Sequence, residues 1–370
     1  MIEVLHDIER WHRAGHRVAL ARVVETAGSA PRIPGATMAV NDEGEVAGSV
    51  SGGCIEGAVL EEALAVLAGD RGQGLLTFGY ADDAAFEVGV TCGGTIKIFV
   101  APIHASDELG VALFHGLADA LRGGSPIALA TLVEGSPTGA RLLVPPDRQP
   151  MGSLGHPDLD RAAARDALGQ LAAGGTTVRR YGQRGEARGA AVTVFLEAFT
   201  PPPRMVISGA VDFTAALARA AKLLGFHVTV CDARPAFATA ARFPMADEVV
   251  VDWPDRYLTS IADHLGPRDA VCVLTHDHKF DVPAIVTACR TAVGYLGAMG
   301  SRRTHEQRIE RLREAGLQDR DIERLHAPIG LDLGARTPEE TAIAICAEII
   351  ALRTGRPGGR LRDGDGPIHG

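Results

Sequence analysis

Two short stretches of the 370-residue chain place a thiol among glycines: Gly48-Ser49-Val50-Ser51-Gly52-Gly53-Cys54-Ile55-Glu56 and Thr91-Cys92-Gly93-Gly94. Glycine leaves the backbone bare, so a ligand can approach both N–H groups and a sulfur. The first stretch runs into the apolar series Ile55, Val59, Leu60, Leu64 and Leu67, whose spacing predicts a helix with Cys54 at its first turn. Unpaired N–H groups at such a turn attract anions and stabilise a thiolate. Cys54 is therefore a candidate nucleophile, sulfur carrier or soft-metal ligand, and the alternative is a buried, inert thiol beside a tight turn. A third stretch, Gly28-Ser29-Ala30-Pro31-Arg32-Ile33-Pro34-Gly35-Ala36, is stiffened by prolines and projects Ser29 and Arg32. It suits an oxyanion, or it is a rigid turn with a solvated arginine. Neither a Ser-His-Asp order nor a strand–Gly-x-Ser-x-Gly–helix elbow is present, which argues against a serine hydrolase.

Three further clusters lie in the C-terminal half. Gly209-Ala210-Val211-Asp212 occupies a strand-to-helix turn, and Asp232 ends the next strand, near the offset at which an acid reaches a ribose hydroxyl. The pattern is that of a Rossmann dinucleotide site, but only the first glycine is present and Asp212 sets a negative charge where a pyrophosphate would sit. Arg234 can pair with a phosphate or with neighbouring acids. Thr275-His276-Asp277-His278-Lys279-Phe280-Asp281 follows an apolar strand; His276, His278 and Asp281 can form a divalent-metal set or a hydrogen-bonded loop. Gly297-Ala298-Met299-Gly300-Ser301-Arg302 opens a helix with glycine, hydroxyl and arginine together, the makings of an anion site.

These residues need elements to hold them. In the N-terminal part, periodicity predicts helices near 2–14, 55–68, 106–123 and 159–172, with strands at 18–24, 37–40, 95–100, 127–133, 141–144, 177–181 and 191–196. The Pro/Gly-rich segment 146–157 reads as a loop dividing this part. Phe199-Thr200-Pro201-Pro202-Pro203-Arg204 is a stiff linker, after which strands and helices alternate in the pattern of a parallel sheet covered by helices. The expected organisation is thus α/β, with an α+β domain over 1–200, a Rossmann-like domain over 204–355 and a disordered tail over 356–370.

A net charge of −9, without a Lys/Arg run, argues against nucleic acid or an anionic membrane as partner. No apolar run approaches the roughly 18 residues needed to span a bilayer, and the acidic, amphipathic start is unlike a secretion signal. A cytoplasmic protein is expected. Six cysteines without a CxxC pair point away from a disulfide framework or structural zinc.

Across residues 18–352 the chain resembles the xanthine dehydrogenase accessory proteins of the XdhC/CoxI family. The resemblance rests on the three N-terminal stretches above, on Asp232-Ala233-Arg234-Pro235, Arg242-Phe243-Pro244, Leu274-Thr275-His276-Asp277 and Gly297-Ala298-Met299-Gly300-Ser301-Arg302, and on the segment from Ala327-Pro328 to Glu339-Glu340. One departure is Ala210-Val211-Asp212, where the family commonly has a glycine-rich turn with a histidine. The resemblance implies a homodimeric chaperone without turnover that binds molybdenum cofactor, as molybdopterin or its dinucleotide form. Such a chaperone assists sulfuration with a cysteine desulfurase and delivers its cargo to the apoenzyme of a molybdenum hydroxylase, such as xanthine dehydrogenase or carbon monoxide dehydrogenase. On this view Cys54 or Cys92 contacts the metal centre or incoming sulfur. Arg32, Ser51 and the backbone of Gly52, Gly53, Gly93 and Gly94 hold oxo or phosphate groups. Gly209, Asp232, Arg234, His276, Gly300, Ser301 and Arg302 line a crevice for a nucleotide, either part of the cargo or a separate NAD(P). The competing readings are an NAD(P)-dependent oxidoreductase and a metal-dependent enzyme built on His276, Asp277 and His278.

Overall fold

Val4, Leu5, Ile8 and Trp11 recur at helical spacing and form the buried stripe of α1 (Ile2–Ala14), which Gly15 ends in the left-handed conformation. In the computed structural model, which describes residues 1–28, 32–79, 94–103 and 108–363, this helix opens the first of two units, Met1–Pro201; the second is Pro202–Gly364. After α1 come β1 (Val18–Ala27), β2 (Thr37–Asn41), β3 (Val46–Gly48), α2 (Glu56–Ala68), β4 (Gly74–Phe78) and β5 (Thr95–Ile103). The five strands form one antiparallel sheet in the order β3-β2-β1-β5-β4.

The chain then repeats itself. Next come α3 (Glu108–Gly123), β6 (Ile127–Glu134), β7 (Arg141–Val144), β8 (Met151–Ser153), α4 (Pro157–Ala173), β9 (Gly175–Tyr181) and β10 (Val192–Phe199), forming a second sheet in the order β8-β7-β6-β10-β9. The order is that of the first sheet, element for element. Details correspond too. Arg22 pairs with Thr37 and Phe99, and Thr131 pairs with Arg141 and Phe195. The β1–β5 register slips between Val23 and Glu25 and the β6–β10 register between Leu132 and Glu134, so Val24 and Val133 are equivalent bulge residues.

The two repeats meet reciprocally. Gly35 of the first packs against Thr176 of the second, while Gly139, the counterpart of Gly35, packs against Gln73, the counterpart of Thr176. Such an exchange is the mark of a two-fold contact. Val24, Phe99 and Ala101 share one buried cluster with Val133 and Phe195, and each fully buried phenylalanine contributes roughly 1.5–3 kcal/mol by leaving water. Within this layer Arg22 donates to Glu197 and, at 3.2 Å, to Thr131. The outward face of each sheet is covered by its own helix, α2 on the first and α4 on the second.

The segment 146–157 does not divide the unit: it contains β8 and the start of α4, all inside the second repeat. Its prolines and glycines mark the turns around a three-residue edge strand, and the repeats join between β5 and α3.

The second unit is a six-stranded, wholly parallel sheet in the order β13-β12-β11-β14-β15-β16. Its elements are β11 (Arg204–Ser208), α5 (Asp212–Leu223), β12 (His227–Cys231), β13 (Glu248–Val250), α6 (Pro254–Ser260), β14 (Ala270–Val273), α7 (His278–Cys289), β15 (Tyr295–Ala298), α8 (Arg302–Glu314), α9 (Asp319–Ile322), β16 (Leu325–His326) and α10 (Pro338–Thr354). Helices α5 and α10 cover one face through Leu217, Ala221, Ile345 and Ile349; α7 and α8 cover the other through Ile285 and Leu312. The strand order reverses between β11 and β14, the place at which open α/β sheets hold ligands.

Candidate functional site

Between β3 and α2 the glycine-rich stretch folds around a single carboxylate. Glu56 accepts hydrogen bonds from the Ser49 hydroxyl at 2.7 Å, the Ser51 and Gly52 N–H groups at 2.9 Å each, the Gly53 N–H at 2.8 Å and the Ser51 hydroxyl. Burial alone would raise its pKa. The bonds from Ser51 and Ser49 and from the backbone outweigh that and hold it at about 2. Ser51, buried, in turn accepts from the Cys54 and Ile55 N–H groups at 3.0 and 3.1 Å.

This arrangement corrects one expectation. The N–H groups of Gly52 and Gly53 are turned inward onto Glu56 rather than outward to an oxo or phosphate group. What the glycines leave open is the outer side: with φ of +79° and +121°, neither would bring an added Cβ within 4 Å of another atom. Cys54, half-buried beside the apolar core under α2, stands just before the helix N-cap, Ile55, and so a step ahead of the expected first turn. Arg32 is exposed. Gly94 is buried directly before β5, whereas Ser29, Cys92 and Gly93 lie outside the described residues.

The second repeat contains the same loop with different contents. Gly48-Ser49-Val50 corresponds to Gly152-Ser153-Leu154, and Ile55-Glu56 to Leu159-Asp160. Asp160 accepts from the Ser153 hydroxyl at 2.7 Å and the Leu154 N–H at 2.6 Å. A Cβ on Gly48 would collide with the Thr37 carbonyl oxygen, and one on Gly152 with that of Arg141. The residues in common hold the loop together. The difference is confined to Ser51-Gly52-Gly53-Cys54, which becomes Gly155-His156-Pro157-Asp158 in the second copy. The sequence signal for this correspondence was a Gly-Ser pair followed, eight residues after the glycine, by an acid.

In the second unit, the ends of β11, β12, β14 and β15 bring Gly209, Asp232, His276, Gly300, Ser301 and Arg302 to one edge of the sheet. They are less available than expected. Asp232, 3% exposed, accepts the Ala210 N–H at 2.7 Å and is gripped by Arg234 through Nε at 2.9 Å and a terminal nitrogen at 2.7 Å. Burial, which raises its pKa, is outweighed by Arg234 and the backbone donors, so it stays below the usual carboxylate range. Its acceptors are thus already engaged where a ribose would need them. The Gly209 turn, at φ +112°, is pressed against Thr275, whose Cγ2 would lie 2.6 Å from an added Cβ. Val211 stands where a pyrophosphate-binding turn needs its second glycine. Ser301 caps α8 by accepting the Thr304 N–H at 3.1 Å. The residues present do not fit a dinucleotide in the usual position.

The histidine loop does not assemble a metal set either. His276 and His278 are exposed, whereas Asp281 is buried, bonded to Thr275 and 3.3 Å from Arg308. Among the described residues no three His, Cys, Asp or Glu side chains gather as a metal site. Helix geometry turns Asp281 into the core and the histidines out, so the three do not converge as expected. One residue that sequence reasoning missed lies nearby. Phe237, 44% exposed, is flanked by Arg234 and Arg242, whose guanidinium carbons lie 4.6 and 5.5 Å from its ring centre.

Compared with known proteins, residues 205–349 match the family model described as the XdhC Rossmann domain. Residues 11–79 and 120–182 match that of the XdhC and CoxI family, one segment in each repeat. The chain is 28% identical over 337 residues to a Bacillus subtilis (strain 168) protein named as a probable xanthine dehydrogenase subunit, covering 90% of this chain and 92% of the relative. It is 26% identical over 341 residues to the Escherichia coli (strain K12) molybdenum cofactor insertion chaperone PaoD, covering 92% and 85%. A crystal structure from Bacillus halodurans, described as a xanthine dehydrogenase, has the same fold, with a TM-score of 0.66 at 24% identity over 98% of both chains. Among the described residues no helix is long and apolar enough to cross a membrane.

Proposed function

Because this chain belongs to the XdhC and CoxI family, we propose that it binds molybdenum cofactor as cargo and passes it to the apoenzyme of a molybdenum hydroxylase. The observation that carries this reading is the difference between the two loops of the N-terminal unit. The groups the copies share hold the loop together, and Ser51 is buried in bonds to Glu56, Cys54 and Ile55, so the remaining residues peculiar to the first copy, Gly52 to Cys54, are those left for a ligand. A soft sulfur beside two bare glycines suits a molybdenum centre ligated by a dithiolene. Cys54 contacts the metal or the incoming sulfur, and Gly52 and Gly53 let the cargo approach. Glu56 holds the loop in shape and does not touch it. Sulfuration with a cysteine desulfurase, xanthine dehydrogenase or carbon monoxide dehydrogenase as recipient, and a homodimer belong to the same reading.

The test is retention of molybdenum and pterin by the purified chain after gel filtration. Cys54→Ser is expected to lower retention at least tenfold, whereas the combined His156→Ala and Asp158→Ala changes in the second copy leave it unaltered. Equal retention by wild type and Cys54→Ser would remove the thiol from the mechanism. For the nucleotide expected in the C-terminal unit, we place the base against Phe237, with Arg234 and Arg242 toward its phosphates. Fluorescence titration with NADPH, compared between wild type and Phe237→Ala, checks this placement; equal binding by both rules it out.

A further inference from the structure

The interface between the two repeats buries more positive than negative charge. Arg22 is 1% exposed, and its Nε is buried without a hydrogen-bond partner. Arg141, partly buried, donates to the Pro102 carbonyl oxygen at 3.1 Å, and its Nε is likewise buried without a partner. Glu197 pairs with Arg22. Among the described residues no carboxylate pairs with Arg141. Burial and the charge of Arg22 push the Arg141 guanidinium down to about 10, with only Glu197 acting in the other direction. Unpaired buried charge is among the most expensive features a protein can carry.

The two arginines occupy partnered, not equivalent, positions of the repeat. In the first copy, neighbouring strands pair Arg22 with Thr37; at the equivalent positions of the second, Thr131 pairs with Arg141. Each copy thus supplies one arginine and one threonine, and Arg22 touches its own counterpart, Thr131. Arg22 and Arg141 both line a cavity of about 20 Å³, together with Met1, Ile103, Phe114 and Leu129. The Met1 amine donates to Thr37 at 3.2 Å. Outside this cavity, and sharing Ile103 and Phe114 with it, lies a cleft of about 520 Å³ between α1 and α3, lined by Arg13, Arg122, His12, His115 and Glu9. Arg122 pairs with the one acid, Glu9, at 3.3 Å, and Arg13 leaves the cleft with a net positive charge that favours entry of an anion.

We propose that the centre of the N-terminal unit binds a small inorganic oxyanion, held by Arg22 and Arg141 across the interface of the two repeats. A water accepts the orphaned N–H groups but leaves the charge uncompensated; an anion does both. Guanidinium edges match the paired oxygens of an oxyanion better than a spherical halide. None of the residues lining this site belongs to the loop at Cys54, so it is separate from that loop and does not depend on the proposed cargo.

Thermal melting of the full chain in millimolar sulfate or phosphate, against chloride at equal ionic strength, tests the site. Wild type is expected to show a saturable rise in Tm of about 5 °C. Saturation separates binding from the general salting effect of these ions, which keeps growing at higher concentration. Arg141→Met is expected to fold, to melt no lower than wild type in chloride, and to lose the response; Arg141→Lys keeps the charge and a weakened response. An identical Tm for wild type in all three salts overturns the proposal, as does an undiminished response in Arg141→Met.

Discussion

Glu56 stands among groups that all donate to it, and the consequence is a stability that depends on its charge. Its folded pKa of about 2 lies below the ordinary 4.5, so its contribution is complete above about pH 4.5 and is lost as the pH falls toward 2. Glu56→Gln keeps the shape but gives up the charge-assisted bonds. The expected cost at neutral pH is about 1–2 kcal/mol, discounted for the partial exposure of the group. Chemical denaturation of both proteins between pH 7 and the acid limit should show the gap closing as the wild type is protonated; a gap that stays constant would mean that the carboxylate is not held by these bonds. Glu56 was visible in the sequence as part of the cysteine stretch, yet its part in that stretch was not. A carboxylate that folds back onto three successive backbone N–H groups goes beyond the single N–H of a capping box, and it becomes recognisable only beside Asp160 in the second copy.

At the scale of elements, the edge strands β3 and β8 each contain a glycine, and the two do equivalent work. Gly48 and Gly152 have φ of +78° and +95°, and each would thrust a Cβ against the carbonyl oxygen of the neighbouring strand. Backbone strain and backbone clash add together, so Gly48→Ala and Gly152→Ala should each destabilise the unit by about 3 kcal/mol or more. Gly52→Ala has the positive φ without the clash and should cost about 1 kcal/mol. Urea midpoints of the three variants check the ranking, and a Gly52→Ala loss as large as the others would contradict the open outer side of the loop. The long helices α1 to α4 were legible because apolar side chains recur over three or more turns. Strands β3 and β8 were not, since three residues are too few to show alternation. In the second unit, the alternation of apolar strands and helices identified the parallel sheet. The availability of Asp232 was misjudged because only the folded chain shows Arg234 wrapped over it.

For the whole N-terminal unit, the decisive fact is that one chain contains two copies of a fold that close on each other like a dimer. Sequence comparison within the chain leaves few traces of this: Gly28-Ser29 with Gly35-Ala36 against Gly135-Ser136 with Gly139-Ala140, and the two loop stretches. Backbone pairing and burial, rather than residue identity, are what the copies have in common, and apolar positions tolerate exchange as long as volume is kept. At the centre, however, the copies differ sharply. Glu197 faces Arg22 from the second copy, while the position equivalent to Glu197 in the first copy is Ala101. The salt bridge therefore has no symmetric mate, and it fixes how the unlike halves pair. Because both side chains are buried, removing one partner leaves the other charge unpaired. Glu197→Gln should cost about 3–5 kcal/mol, whereas the double change Arg22→Met with Glu197→Met should cost much less than the sum of the single changes. Denaturant unfolding of the wild type, both single variants and the double variant forms the cycle. Additive losses would show that the pair does not couple the two copies, and that the apolar cluster around Phe99 and Phe195 holds them together unaided.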